Sequence, residues 1–334
     1  MKRLLALVAA VALIGAALWY RERREGDGTA PTGGGGGGAG SADATRLICP
    51  TELREACEQA AGSIPGLTVT VEAAGTTADR LSGATFDPAR GDADLWLAPP
   101  SWTGLVDASR QRASLAPVLG DGGPPLVTTG LVYVAWVDRW RVLGEECGGP
   151  VSWPCLAGLA ARNGGPEAVP WNGGLKIGWD PAGDALAGLA EIGQITAGLA
   201  GSAEVGSNDL DEPDVADGLR ALDAARPYTG SAVNSPLHMM LVFGPSRFDL
   251  VGTADALART EVGTRTDVVV APAPPPVRLD LLLVPLAGRP APPPRVRAAL
   301  VDALVASHWR EPQAGEAATD GLPSAGTLEA LRGR

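Results

Sequence analysis

Three short segments of the sequence place small polar residues directly after an apolar run, where a predicted strand passes into a predicted helix. The residues concerned are Thr51, the pair Thr76 and Thr77, and the pair Gly183 and Asp184. A helix start offers unpaired backbone N–H groups and about half a positive charge, and threonine hydroxyls add uncharged donors. Such donors suit an anionic or polar ligand. The alternative is that Thr51, Thr76 and Asp184 are ordinary N-caps.

Tryptophan and one further threonine extend this set of candidate ligand contacts. Trp102, Trp171 and Trp179 lie near predicted strand ends, where an aromatic face can pack against a sugar or a cation. The burial habits of tryptophan favour the alternative, which is packing in the core or at an internal interface. Thr253, in the last predicted strand segment before Asp255, completes the candidates.

The sequence lacks the residue patterns of the common enzyme active sites. Its two histidines, His238 and His308, fall in predicted helices and have no acidic partner at useful sequence spacing. There is no Gly-x-Ser-x-Gly elbow, no P-loop and no His-Glu-x-x-His. The acidic run from Asp209 to Asp214 lacks EF-hand spacing, which favours a solvated loop over a Ca²⁺ site. We therefore expect no catalytic residue, metal or cofactor; an extracellular hydrolase with an unfamiliar site is the remaining enzymatic alternative.

The four cysteines form two local pairs of identical spacing, Cys49 with Cys57 and Cys147 with Cys155. Outside the cytosol, this pattern predicts two short-loop disulfides. A four-cysteine zinc site would want Cys-x-x-Cys spacing, which is absent. Four buried thiols are the alternative.

The elements that must position these residues follow from hydrophobic periodicity. Short apolar runs alternate with helical patterns, which predicts an α/β fold with largely parallel strands. The apolar stretch Leu126–Val137 is long enough to cross between two lobes. The predicted strands are Arg46–Cys49, Leu67–Glu72, Ala93–Ala98, Leu175–Trp179, Phe248–Gly252 and Leu279–Leu286. The predicted helices begin at or near Pro50, Gly75, Thr103, Cys147, Asp184, Asp214, Leu237 and Arg295, and residues 321–334 are predicted to be a tail.

Composition excludes other classes of protein. The chain has 334 residues, of which 45% are hydrophobic and 19% charged, and this is too apolar for a disordered protein. The formal net charge of -11 argues against nucleic acid as a partner, because phosphate binding needs clustered Lys and Arg. The one basic cluster, Arg21, Arg23 and Arg24, follows an apolar run.

That apolar run, Leu4–Tyr20, has 17 residues without a charge, the lower limit for a membrane-spanning helix. Trp19 and Tyr20 fall where an interfacial aromatic belt lies. We therefore predict a signal anchor over residues 1–25, with a single membrane pass and the main domain extracytoplasmic. The alternative is a signal peptide cleaved near Gly15–Ala17. A Gly-rich linker over residues 26–45, with six consecutive glycines, precedes the folded part.

Five motifs in order resemble the type II periplasmic solute-binding proteins, especially their molybdate- and sulfate-like branch. Together they span residues 46 to 310, although each motif is short. The motifs are the first strand and helix start at 46–51, the turn Glu72–Thr77, the strand Ala93–Ala98 with Trp102 behind it, the apolar crossover Thr128–Val134, and the strand and turn Lys176–Pro181.

The resemblance implies a two-lobed fold in which each lobe is a mostly parallel sheet flanked by helices. Because the chain must cross the hinge twice, lobe 1 is expected to contain residues 46–130 and 277–334, and lobe 2 residues 131–276. The implied function is an extracytoplasmic substrate-binding protein that captures a small polar or anionic solute between the lobes for an ABC-type permease. Two residues depart from the oxyanion pattern, since Pro50 lacks a donor and Asp184 brings a negative charge.

The sequence is also compatible with a function in protein binding. A degenerate solute-binding fold could act as a membrane-tethered scaffold or signalling module that binds another protein. The uncleaved anchor and the imperfect ligand turns favour this alternative.

Overall fold

The computed structural model describes residues 44–91, 93–162, 174–202, 204–227, 235–313 and 321–333. Asp43–Arg334 forms one compact unit. The predicted anchor, nearly all of the predicted linker and Trp171 lie outside the described residues. Within the described ranges, no helix is both long and apolar enough to cross a membrane.

Eight strands and eleven α-helices make up the described part of the chain. The strands are β1 Thr45–Cys49, β2 Leu67–Val71, β3 Leu95–Ala98, β4 Val127–Trp136, β5 Ile177–Gly178, β6 Leu250–Ala254, β7 Val268–Pro272 and β8 Arg278–Pro285. The helices are α1 Arg54–Ser63, α2 Ala74–Ser82, α3 Pro100–Arg112, α4 Val137–Cys147, α5 Trp153–Ala161, α6 Gly188–Ala200, α7 Pro213–Ala224, α8 Pro236–Phe243, α9 Asp255–Val262, α10 Pro294–Ala306 and α11 Ala325–Arg332. Short 3₁₀ turns occur at Thr51–Leu53, Asn208–Asp211 and Gly244–Ser246.

The strands form one path in the order β2-β1-β3-β8-β4-β6-β5, with β7 paired to β4. Strand β4 changes partners along its length: Val127–Gly130 pairs with β8, whereas the segment from Leu131 onward pairs with β6 and β7. The strands β1, β2, β3 and β8 therefore form a first group, and β5, β6 and β7 a second group. Both β4 and β8 lie where the chain passes between the groups. The predicted lobe boundaries fall close to these points and remain a prediction.

The expectation of mostly parallel sheets was wrong, because the sheet is mixed. Strands β1, β2 and β3 are parallel, and β5 is parallel to β6, but β4 is antiparallel to β6, β7 and β8. The physical reason lies in the crossings. Strand β4 runs out of the first group and β8 runs back into it, so the two lie side by side in opposite directions.

Other differences from the predicted elements are local. Helix α6 begins at Gly188 rather than at Asp184, since the preceding residues form a turn in which the Asp184 and Ala185 N–H groups donate to the Pro181 carbonyl. Residues 321–334, predicted to be a tail, contain helix α11. Strand β7, which borders the Pro-rich stretch, was not predicted.

Large apolar side chains fill the spaces between the sheet and the helices. Trp96, Trp102, Tyr133 and Trp153 are fully buried, so the preference of tryptophan for the core prevails at these positions. Tyr133 packs edge-on against Trp153 at 5.0 Å between ring centroids. The core therefore extends across both groups of strands.

Both predicted disulfides are present. Cys49 and Cys57 have Cα atoms 6.5 Å apart, and Cys147 and Cys155 have Cα atoms 5.7 Å apart. The first bond ties the end of β1 to α1, and the second joins the end of α4 to the start of α5. Both pairs are separated by eight positions in sequence, so each bond closes a short loop.

We expect reduction of each disulfide to lower the free energy of unfolding by about 2–3 kcal/mol, the amount that closing a loop of this length removes from the unfolded chain. Urea unfolding of Cys49→Ser/Cys57→Ser and Cys147→Ser/Cys155→Ser double variants measures it. A Ser152→Ala variant, which leaves both bonds intact, serves as the control. Recovery of four alkylated cysteines from the non-reduced, denatured protein would contradict the pairing.

Candidate functional site

A cleft of about 510 Å³ opens at the carboxyl ends of several strands. One wall comes from the first group of strands and follows β1 and β2, and the other follows β5 and β6 in the second group. Ligands of open α/β sheets bind in such crevices beyond the strand ends. The cleft is lined by Thr51–Ala56, Ala73, Asp180, Pro181, Asp184, Ala185, Ser235, Leu237, His238, Thr253, Leu257, Thr260, Glu261, Ser307 and Trp309.

The segment Asp180–Ala187, which we call the 180–187 connection, reaches across to the first group. The Gly75 N–H, at the start of α2, donates to the Asp184 carbonyl at 3.0 Å. The Thr76 hydroxyl donates to the Asp184 carboxylate at 3.3 Å, and the Leu186 N–H donates to Glu52 Oε1 at 2.8 Å. Backbone and side-chain groups of the protein thus occupy donors that the sequence suggested for a ligand.

The close approach of the 180–187 connection to α2 and to the start of α6 requires glycine at two positions. A Cβ added at Gly75 would collide with the Gly183 carbonyl oxygen, and one added at Gly188 would collide with the Pro181 carbonyl oxygen. The Trp102 indole N–H donates to the Ala185 and Leu186 carbonyls at 3.2 Å each. The 180–187 connection is therefore packed closely against the starts of α2 and α3.

The structure divides the predicted ligand contacts into three sets. Thr51, Asp184 and Thr253 line the cleft. Thr76 and Gly183 both lie at the contact between the 180–187 connection and α2, where Thr76 bonds to Asp184 and Gly183 lies against Gly75. The prediction of a helix start at Gly183 was wrong, because α6 begins five residues later, after the Pro181 turn.

Thr77 and Trp102 lie away from the cleft. Thr77 is fully buried, and its hydroxyl donates to Glu72 Oε2 at 2.6 Å, the same oxygen that pairs with Arg80 at 2.7 Å. Trp102 is fully buried beneath the 180–187 connection. These two residues hold the walls in place, so any role in ligand binding would be indirect.

Sequence reasoning missed a pair of buried carboxyl groups, of which Asp180 lines the cleft and Glu191 lies next to it. Asp180 is 4% exposed and Glu191 is 1% exposed, and the Asp180 N–H donates to Glu191 Oε2 at 2.6 Å. Burial, together with the charge of Glu52, raises the pKa of Asp180 to about 7. Burial and the adjacent Asp180 hold the pKa of Glu191 well above its usual range. The pair therefore shares a proton near neutral pH.

Further carboxyl groups lie in the cleft itself. Burial raises the pKa of Glu52, which accepts from Leu186 and Thr51. Burial also raises the pKa of Glu261, which accepts from the Ser235 hydroxyl at 3.2 Å. Among the described residues that line the cleft, five are acidic and one is an arginine, so acidic groups outnumber basic ones in the site.

His238 has an acidic partner that its sequence spacing did not indicate. His238 Nδ1 lies 3.8 Å from Glu261 Oε2, because α8 and α9 pack side by side. The Ser235 hydroxyl donates to Glu261 and accepts from the His238 N–H, as an N-cap of α8. Ser235 is thus paired with the carboxylate and the backbone rather than with the imidazole. Within the described ranges, no group of three or more His, Cys, Asp or Glu residues could hold a metal ion.

A second cavity of about 410 Å³ lies on the other side of Pro181–Gly183, against α6, α7 and α11. Trp179 lies there, with the Arg226 guanidinium 4.1 Å from its ring centroid. Arg226 also donates to the Trp179 carbonyl at 3.3 Å, and burial lowers its pKa. Trp179 therefore packs against a cation from its own chain.

Comparisons with known proteins find likeness in structure and none in sequence. No protein-family model matches the chain, and no curated protein matches its sequence. The periplasmic binding protein AfuA from Actinobacillus pleuropneumoniae, solved with fructose-6-phosphate, superposes with a TM-score of 0.51 at 10% identity, over 79% of this chain and 80% of AfuA. The sulfate-binding protein SubI from Mycobacterium tuberculosis H37Rv superposes with a TM-score of 0.48 at 11% identity, over 81% and 88% of the two chains. The likeness to AfuA shows the fold alone: a mixed α/β sheet flanked by helices, which matches the fold of the periplasmic binding proteins.

Proposed function

We propose that this chain is an extracytoplasmic substrate-binding protein that captures a small polar solute in the cleft and delivers it to an ABC-type transporter. The observation that carries the proposal is the cleft itself. Its two walls follow strands of different groups, and the chain passes between those groups only through β4 and β8 in the described part of the sheet. Two strands of this kind can act as a hinge, so that the walls close over a solute. The type II arrangement of two lobes, divided near residues 130 and 277, belongs to this proposal.

The charge of the cleft supports a solute without net negative charge. Carboxyl groups of Glu52, Asp184 and Glu261 line the opening, and Arg54, the one arginine among the described lining residues, lies 3.7 Å from Glu58. A dianion placed there would meet like charges, whereas hydroxyl and ammonium groups would find acceptors. We therefore do not propose molybdate or sulfate as the ligand, although the sequence motifs resemble the molybdate- and sulfate-like branch of the solute-binding proteins. The proposal favours a polyol, a sugar or a small organic cation.

The location of the protein is also a proposal. Disulfides persist in oxidising compartments, and the chain contains two of them. Together with the apolar run Leu4–Tyr20, they support a single-pass membrane anchor over residues 1–25, with the binding domain outside the cytoplasm. An anchored receptor would stay close to its permease.

A thermal-shift screen tests the proposed solute class. We expect sulfate and molybdate to leave Tm unchanged relative to sodium chloride of equal ionic strength. Members of the polyol, sugar or diamine classes should raise Tm, because a solute that binds only the folded state stabilises it by about 2.7 kcal/mol at 100 times its Kd.

The variant Asp184→Asn supplies the matched control for charge. It preserves side-chain shape and the acceptor for Thr76, and it removes one negative charge from the cleft. For a cationic solute we expect about a tenfold loss of affinity, equivalent to about 1.4 kcal/mol. For a neutral solute we expect little change. A Tm increase with sulfate in the unaltered protein would contradict the proposed class, and the absence of any stabilising small molecule would favour a protein-binding role.

A further inference from the structure

The C-terminal helix α11 lies between helices that belong to the two groups of strands. It contacts α3 of the first group and α6 of the second. Gly193 of α6 leaves room for it, since a Cβ there would lie 3.1 Å from the Leu328 side chain. The Thr327 hydroxyl donates to the Val205 carbonyl at 3.1 Å, and Leu328 and Leu331 are each 2% exposed. The helix is therefore a packed part of the fold that bridges both walls of the cleft.

Arg332, the last residue of α11, contacts both sides of the contact between the 180–187 connection and α2. Its guanidinium donates to the Gly183 carbonyl at 2.9 Å and forms two bonds with the Asp79 carboxylate, at 2.6 and 2.9 Å. It also donates to the Gly75 carbonyl at 3.4 Å and lies 5.1 Å from the Trp102 ring centroid. One side chain thus joins α2 and α3 to the second wall.

We propose that α11 is a latch that holds the cleft closed through Arg332, and that release of this latch allows the two walls to separate. The inference rests on the proposed function, because it assumes that the walls move relative to each other. The contacts are suited to a latch. A planar guanidinium can donate to a carboxylate and two carbonyls at once, which a lysine ammonium cannot do with the same geometry.

The exposure of Asp79 explains how the latch can open. The Arg332 side chain is 17% exposed, but that of Asp79 is 65% exposed. Ion pairs with so much solvent contact contribute little and are screened by salt. The latch therefore has well-formed geometry without the strength of a buried ion pair. A partner or solute that competes for Asp79 or Gly183 can release it.

Distances between two spin labels measure this motion directly in the full chain, purified in detergent. Labels are attached to cysteines introduced at Gln59 on α1 and Asp214 on α7, which are both exposed and lie on different walls. All four native cysteines are in disulfides, so only the introduced thiols react. The measurement is made without a solute, in the unaltered background and in Arg332→Ala, Arg332→Lys and Asp79→Asn.

We expect one narrow distance distribution in the unaltered background and an added population at longer distance in each of the three variants, largest for Arg332→Ala. The control Arg141→Ala, which removes an exposed pair within α4, should leave the distribution unchanged. If Arg332→Ala proves unfolded by circular dichroism, Asp79→Asn tests the latch instead, because the exposed Asp79 side chain is not part of the core. Folded variants with the distribution of the unaltered background would overturn the latch. Because no solute is added, that result would leave the proposed binding function standing, and a failed solute screen would leave the latch standing.

Discussion

Replacement of Trp102 with alanine is expected to lower the free energy of unfolding by about 3–5 kcal/mol, the usual cost of removing a large buried aromatic side chain. Trp102 is fully buried and donates to the Ala185 and Leu186 carbonyls. The loss combines a cavity beneath α3 with two carbonyl oxygens that lose their donor. Urea unfolding followed by circular dichroism measures it.

The variant Trp102→Phe separates the two contributions. It retains most of the buried ring and removes the indole N–H, so we expect a loss of about 1–2 kcal/mol. Trp140→Phe, at a partly buried position in α4, serves as the control for tryptophan removal as such. A cost below about 1 kcal/mol for Trp102→Ala would contradict the role of this side chain in joining the two walls.

Stability is expected to fall as the pH rises from about 4 to about 7, because of the Asp180 and Glu191 pair. The ordinary pKa of an aspartate here is 3.8, and that of Asp180 in the folded protein is about 7. A carboxyl group with a raised folded pKa binds a proton more tightly in the folded state than in the unfolded state. Its contribution is present below pH 4 and is lost as the pH passes through 7. For Asp180 alone, the loss is about 4 kcal/mol, from about 1.36 kcal/mol for each pKa unit.

The variant Glu191→Gln tests the assignment of this pH dependence. The amide retains the volume of Glu191 and cannot ionise, so the raised pKa of Glu191 no longer contributes to the pH dependence. We expect the decline between pH 4 and pH 7 to become shallower than in the unaltered protein. Glu58→Gln, on the exposed face of α1, should leave the decline as it is. The same slope in Glu191→Gln and in the unaltered protein would show that other groups cause it. An acid limb below pH 4 is expected in both, since Arg46 lowers the pKa of Asp94.

Local features of the fold were predictable because they depend on neighbours in the chain. The short strands from β1 to β3 follow from apolar runs of four to six residues in the sequence, and the observed bounds differ from the predicted ones by a few residues. The two cysteine pairs were predictable because their equal, short spacing limits which thiols can meet. The long apolar stretch before α4, predicted to cross between two lobes, forms strand β4, which pairs with β8 at its start and with β6 further along; the division into lobes stays a prediction.

The candidate site was only partly predictable. Helix starts drew attention to Thr51 and Thr76, but a sequence does not show whether a donor faces a ligand or a carbonyl of its own chain. At α2 the Asp184 carbonyl is the acceptor, 109 positions away from Gly75. A usable signal existed for Glu191, which is the single charged residue in the apolar helix α6. An acid in such a run is expensive to bury, so it requires a partner.

The sequence by itself determined the α/β class, the two disulfides, the apolar N-terminal run and the polar residues that follow the strands, since each depends on composition or on spacing over a few residues. The tertiary structure alone decided which charges meet. Asp180 reaches Glu191 only after α6 packs beneath the 180–187 connection, and Arg332 reaches Asp79 across 253 positions of sequence. The excess of acidic groups in the cleft and the position of α11 between the two walls depend on how the elements pack against each other. The free energies of these long-range contacts depend on burial and geometry, which no local pattern of residues specifies.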